Sequence, residues 1–199
     1  MIRIREKNIN TPEYWNIAFE KEIKNGTLRI EPERFSRTTM LIKDNSNVID
    51  IGCGRGEFIE HLLKSKHLCH VLGIDFSESA VLDAKKRIPG ADFAAIDVYM
   101  MADYASLLEK YDYAVCFEVI EHLDRPDVLV NNIYKILKKN GYLILSTPYE
   151  NSVYAEDEHI YSYDFQDIIN LFNKHDWNII TMTRYHRNYS NMYVLIQKI

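Results

Sequence analysis

The chain predicts an α/β domain, a mainly parallel sheet covered by helices on both faces. Three observations carry this. From Val48 onward, short apolar runs of β-forming residues alternate with stretches of helical periodicity. The first run, Val48-Ile49-Asp50-Ile51, enters a glycine turn, Gly52-Cys53-Gly54-Arg55-Gly56, that opens a helix. Asp50, Asp75 and Asp97 then mark three of the first four strand ends, where a core strand has no use for charge. Ligands of such sheets sit beyond the carboxyl ends of the strands, near the switch in strand order.

Taken in order, Thr11-Pro12-Glu13 reads as the cap, first-turn proline and first-turn acid of a helix that Gly26 closes. Glu31-Pro32-Glu33 starts a second helix, and Asp44 to Asn47 make a polar turn before the first strand. The helix after the glycine turn carries Phe58, Leu62 and Leu63 at helical spacing. His70 to Asp75 is the second strand; Ser77 caps the next helix, whose buried face is Val81, Ala84 and Ile88. Ala91 to Ile96 is a third strand, Ala102 to Lys110 a short helix, and Tyr113 to Phe117 a fourth strand. Asp124 and Pro126 open a helix that Asn140-Gly141 closes as a left-handed cap, ahead of a fifth strand from Tyr142 to Ser146. A helix from Tyr163 to His175 precedes two strands, Trp177 to Thr183 and Met192 to Gln197, joined as an antiparallel hairpin.

A length of 199 residues suits one domain, 1–199, with a sizeable core. With 47% hydrophobic and 27% charged residues the chain is neither disordered nor membrane-spanning in composition. The N-terminus, Met1-Ile2-Arg3-Ile4-Arg5-Glu6-Lys7, lacks an apolar signal core, so the expected location is the cytoplasm. Three cysteines without metal spacing suit a reducing compartment. A net charge of −5 argues against broad nucleic-acid binding.

A glycine turn followed by an acid at the next strand end holds adenosine-containing cofactors, because the acid accepts hydrogen bonds from ribose hydroxyls. Asp75 has that position. The dinucleotide pattern G-x-G-x-x-G is not met by G-C-G-R-G. Asp50, entering the turn, repels a pyrophosphate and favours an ammonium group. S-adenosylmethionine carries an ammonium, a sulfonium and an adenosine, so the charge pattern prefers it over NAD.

The motifs V-I-D-I-G-C-G-R-G, G-I-D-F-S, F-A-A-I-D-V, F-E-V-I-E-H-L and L-K-K-N-G-Y-L-I-L-S-T-P run in order from Val48 to Pro148. The chain therefore resembles the class I, Rossmann-like S-adenosylmethionine-dependent methyltransferases. That resemblance implies a three-layer sandwich with a seven-stranded sheet whose last strand is antiparallel. It implies that Asp50, Gly52, Cys53, Gly54 and Gly56 hold the methionine part and Asp75 the ribose. Asp97 and Val98 would hold the adenine, Phe76 would pack on its ring, and Phe117 would border the same site. Residues 1–45 would form a helical lid, with Tyr14 and Trp15 facing the cleft together with Tyr154 of the 149–161 loop, and residues 46–199 the core. Arg34 or Arg37 would pair with the cofactor carboxylate.

A second constellation, Glu118, Glu121 and His122, follows the fourth strand, where the family places its reacting group. On a helix these positions share one face. His122 can take a proton from a hydroxyl, or Glu118, Glu121, His122 and the later His159 can bind a divalent cation, Mg²⁺ or Mn²⁺. The spacing resembles two metal-using branches of the family, the ubiquinone-precursor O-methyltransferases and the 2′-O-methyltransferases of small-RNA 3′ ends. The reading expected here is O-methylation of a small-molecule hydroxyl. An RNA-terminal 2′-O-methyltransferase and a non-catalytic cofactor-binding protein are the alternatives.

Overall fold

The computed structural model describes residues 1–66, 68–149, 157–186 and 190–199. In chain order the elements are β1 (Ile2–Arg3), α1 (Pro12–Asn25), α2 (Pro32–Leu41), β2 (Asn47–Ile51), α3 (Glu57–Ser65), β3 (His70–Asp75), α4 (Glu78–Arg87) and β4 (Asp92–Ala95). Then come β5 (Tyr111–Phe117), α5 (Pro126–Ile136), β6 (Leu137–Pro148), β7 (Tyr161–Ser162), α6 (Phe165–Leu171), β8 (Trp177–His186) and β9 (Ser190–Lys198).

Seven strands form one sheet in the order β4-β3-β2-β5-β6-β9-β8. The first five are parallel, and β9, the last in the chain, runs antiparallel to both neighbours. This is the Rossmann-like α/β sandwich. The strand order reverses between β2 and β5, so a crevice opens beyond their carboxyl ends. Alternating residues of the central strands feed two cores. Ile49, Ile51, Ala114 and Cys116 enter the layer under α5 and α6, whereas Val48, Tyr113 and Val115 enter the layer under α2, α3 and α4. Among the described residues no helix is long and apolar enough to cross a membrane.

Capping of α1 and α4 follows the sequence. Thr11 accepts from the Tyr14 amide and Gly26 closes α1 at φ 67°, while Ser77 accepts from the Ala80 amide to start α4. Three expectations are corrected. Ala102 to Lys110 is two short 3₁₀ turns rather than a helix. Within that span only Leu107 is buried, while Tyr104 and Leu108 are exposed, so no helical stripe exists to be packed. Asn140-Gly141 does not cap α5, which ends at Ile136; it forms a bulge inside β6, where pairing with β5 jumps from Tyr111↔Leu137 to Tyr113↔Tyr142. A Cβ at Gly141 would sit 2.9 Å from the Lys138 carbonyl, so a side chain would obstruct that bulge. The last helix begins at Phe165, behind an Asp164–Asp167 capping box, and ends at Leu171. Two short strands were not foreseen: β1 pairs antiparallel with β7 and ties the N-terminus to the segment after β6.

Candidate active site

The glycine turn closes β2 onto β3. The Gly52 and Cys53 amides donate to the Ile74 carbonyl at 2.8 and 2.9 Å, and all three glycines have positive φ. A Cβ at Gly52 would collide with the Val119 methyl, so the turn and the segment after β5 meet there with no space for a side chain. Arg55 staples the turn from behind, donating from Nε to Asp83 at 2.7 Å and from Nη1 to the Thr27 carbonyl at 2.5 Å. Asp75 supports it from the β3 end: Oδ2 accepts from the Gly54 amide and Oδ1 from the Ser77 amide, both at 2.9 Å. Each carboxylate oxygen keeps a further lone-pair direction for a ligand.

These elements open onto a cleft of about 340 Å³. Asp50, Gly52, Cys53, Gly54, Asp75, Phe76, Asp97, Val98 and Phe117 line it together. Gly56 does not; it opens α3, and a Cβ there would press on Ile88 and Phe93 in the core. Asp97 also accepts from the Tyr99 amide at 2.8 Å, which shapes the loop, and Asn132 donates to the Val98 and Tyr99 carbonyls from α5. Glu57, the first residue of α3, lines the cleft as well; its signal was an acid placed at the helix start directly after the turn.

Burial and the neighbouring Glu57 and Asp75 carboxylates push Asp50 up to about 8. Burial also raises Glu57 and Asp75. A cationic ligand beside these three carboxylates favours their ionised forms. At pH 7 Asp50 is largely protonated, and a cationic ligand seated beside it would lower its pKa and release a proton. Cofactor affinity is therefore expected to fall as pH drops from 8 to 6, by up to about tenfold per unit for one linked proton. Calorimetry in buffers of different ionisation enthalpy reads the released proton, and Asp50→Asn should remove its share of the slope.

The segment after β5 differs from the helix expected. Glu118 has φ 52°, and only residues 120–122 form a single 3₁₀ turn. Glu118 therefore diverges from Glu121 and His122. Glu118 pairs with Arg34 of α2 at 2.7 Å and accepts from Ser146 Oγ at 2.7 Å. Glu121 is fully buried and accepts from Thr147 Oγ1 at 3.0 Å, while its Oε1 has no hydrogen-bond partner among the described residues. His122 lines the cleft, and its Nδ1 lies 3.0 Å from the Glu158 carbonyl. His159 lies next to it, with ring centroids 4.9 Å apart and the rings tilted by 53°. Glu121, His122 and His159 thus gather, their ligand atoms within 4.8 Å of one another, and Glu118 stays outside that group.

Burial, then the adjacent His159, holds His122 down to about 4, so it is neutral at pH 7. Burial drives Glu121 well above the ordinary carboxylate range. The N-terminal segment covers this group: Asn8, Asn10, Thr11, Trp15 and Phe19 line the cleft. Tyr14 instead donates to Glu158 Oε1 at 2.5 Å, and Tyr154 lies outside the described residues. Arg34 lines the cleft, whereas Arg37 pairs with Glu33 and Thr183 on the outer side of α2. Asn8, Asn10 and Glu158 carry no motif and were not legible in the sequence.

The chain is similar to several known proteins. A mitochondrial ubiquinone biosynthesis O-methyltransferase from Candida albicans is 32% identical over 124 residues, covering 60% of this chain and 38% of that protein. A ubiquinone biosynthesis O-methyltransferase from Histophilus somni is 34% identical over 106 residues, 50% of this chain and 44% of that protein. The chain spans less than half the length of these relatives. Among solved structures, magnesium protoporphyrin IX methyltransferase from Synechocystis with bound S-adenosylhomocysteine superposes with a TM-score of 0.75 at 16% identity, covering 94% of this chain and 98% of that one. The N-methyltransferase NodS of Bradyrhizobium japonicum, in complex with the same product, gives 0.74 at 20% identity, covering 92% and 98%. The methyltransferase-domain family matches residues 20–181. The chain belongs to that family, the class I S-adenosylmethionine-dependent methyltransferases.

Proposed function

We propose that this protein transfers the methyl group of S-adenosylmethionine to a hydroxyl of a small molecule. The observation that carries the reading is one cleft shared by three parts: Asp75 at the end of β3, the carboxylate-rich glycine turn, and the neutral imidazole of His122 beneath the N-terminal segment. In this reading Asp75 accepts from the ribose hydroxyls, Phe76 and Val98 flank the adenine with Asp97, and Asp50 receives the ammonium. The curated relatives named above are O-methyltransferases, which supports an oxygen acceptor.

The sulfonium is already an activated donor, so the chain's work is to align the acceptor and exclude water. Trp15 and Phe19 supply apolar walls, and Phe117 closes the side next to the turn. His122 is a weak base, yet a weak base suffices once alkylation has made the acceptor oxygen strongly acidic. It takes the proton on Nε2 as the carbon–oxygen bond forms.

Glu121, His122 and His159 also fit a divalent cation. Glu121 Oε1 is buried without a hydrogen-bond partner among the described residues, and two imidazoles stand beside it. A set of two nitrogens and one carboxylate suits Mn²⁺ better than Mg²⁺, which prefers oxygen ligands. Such an ion would supply Lewis acidity to the acceptor hydroxyl.

The test is transfer of labelled methyl to a panel of catechols, phenols and sugars, run beside an RNA oligonucleotide. Label on the small hydroxyl compounds is expected, with turnover abolished by EDTA and restored by Mn²⁺ if the trio holds an ion. Label confined to the RNA 3′ end would overturn the acceptor class. Cofactor binding by calorimetry with no transfer to any acceptor, with or without metal, would overturn catalysis.

A further inference from the structure

One backbone carbonyl holds two side chains from distant parts of the chain. The Glu158 carbonyl accepts from Asn10 Nδ2 at 2.7 Å and lies 3.0 Å from His122 Nδ1. A carbonyl oxygen only accepts, so His122 carries its proton on Nδ1. Its Nε2 keeps the lone pair and sits 3.9 Å from Glu121 Oε1. Asn10 is in turn fixed from two sides. Its Nδ2 also donates to Asn8 Oδ1 at 2.8 Å, and its Oδ1 accepts from Trp15 Nε1 at 3.0 Å. The Trp15 ring packs edge-on against His122, with centroids 5.4 Å apart. Asn8 then reaches the far side of the same turn, donating to Asp124 Oδ2 at 2.7 Å.

We propose that Asn10 is a positioning residue for His122: anchored by Trp15, it fixes the Glu158 carbonyl and so selects the imidazole tautomer that leaves Nε2 unprotonated. The N-terminal segment is then part of the reaction machinery as well as a cover for the cleft. The role of that Nε2 in the reaction rests on the methyl-transfer reading above, but the tautomer itself does not. Either use of His122, as proton acceptor or as cation ligand, requires the same free nitrogen.

The variant Asn10→Asp keeps the size and the acceptor for Trp15 but replaces the donor to Glu158 with a carboxylate oxygen, which repels that carbonyl. Nitrogen-15 NMR of histidine-labelled protein, with the His122 signals identified from a His122→Gln sample, reports the tautomer without any substrate. Wild-type protein is expected to show Nδ1 protonated. Asn10→Asp is expected to show a mixture of tautomers, with kcat lowered by about tenfold, the loss of roughly one net hydrogen bond, and KM for S-adenosylmethionine within about threefold. Trp15→Phe, which keeps the ring and removes the Nε1 donor, should move the tautomer the same way by less. A wild-type tautomer in Asn10→Asp, or an Nε2-protonated His122 in the wild type, would overturn the proposal. Failure to find any acceptor, with the tautomer shift present, would instead count against the methyl-transfer reading alone.

Discussion

Asp75→Asn should weaken S-adenosylmethionine binding by about a hundredfold while leaving the thermal midpoint within a few degrees of wild type. In the free protein the carboxylate accepts from the Gly54 and Ser77 amides. An asparagine keeps one acceptor and turns an NH₂ group against the other amide, so the turn loses its support from β3. In the proposed cofactor placement it also loses a charged acceptor for the ribose hydroxyls. Hydrogen bonds to a charged group contribute about 1.5–3 kcal/mol each, so losing the pair costs on the order of 3 kcal/mol of binding. Stability changes less because the lost hydrogen bond is offset by relief of crowding, Asp75 being one of the charges that push Asp50 up. Titration calorimetry together with thermal unfolding checks both halves. Wild-type affinity would remove Asp75 from the cofactor site.

The second large effect is expected at Arg34. Its guanidinium is 9% exposed, pairs with Glu118, donates to Ser146 Oγ at 3.0 Å and Tyr185 at 3.4 Å, and covers the Phe117 ring at 4.8 Å. Arg34→Met leaves Glu118 beside these groups with no countercharge. Breaking a fully buried pair costs about 3–5 kcal/mol; Glu118 keeps 28% of its side chain exposed, so about 2–3 kcal/mol is expected here. Urea unfolding should show it as a lower midpoint at unchanged slope. Cofactor affinity should fall as well, because Glu118 and Phe117 line the cleft and the positive-φ turn between β5 and His122 loses its tether. The double variant Arg34→Met/Glu118→Gln removes the stranded charge and should regain part of the stability. A double variant less stable than the single one would refute the ion-pair account.

Much of the scaffold was legible because its signals are local. Alternating apolar runs, caps at Thr11 and Ser77 and a glycine turn entering a helix are each decided within a few residues. So are the strand-end aspartates, since parallel topology sends every strand's carboxyl end to the same edge. The misreadings came where a local signal was ambiguous. Asn140-Gly141 provides a left-handed backbone equally well for a helix cap and for a bulge, and only pairing with Tyr111 and Tyr113 chose the bulge.

The His122 end of the cleft was the least legible part. Helical spacing put Glu118, Glu121 and His122 on one face, but Glu118 takes φ 52° to meet Arg34, a residue far away in sequence. That turn breaks the helical register and sends the carboxylates apart. His159 reaches His122 because β1 pairs with β7 and the Ile160 amide donates to the Glu121 carbonyl. Asn10 and Glu158 gain their roles only through that same closure. The sequence by itself determined the sheet, the glycine turn and the edge where the strand-end aspartates gather, because periodicity and strand ends are properties of neighbouring residues. Which acids face each other, which histidine is neutral and what holds it were decided by tertiary structure, because burial and hydrogen-bond partners come from segments that meet only when the chain has folded.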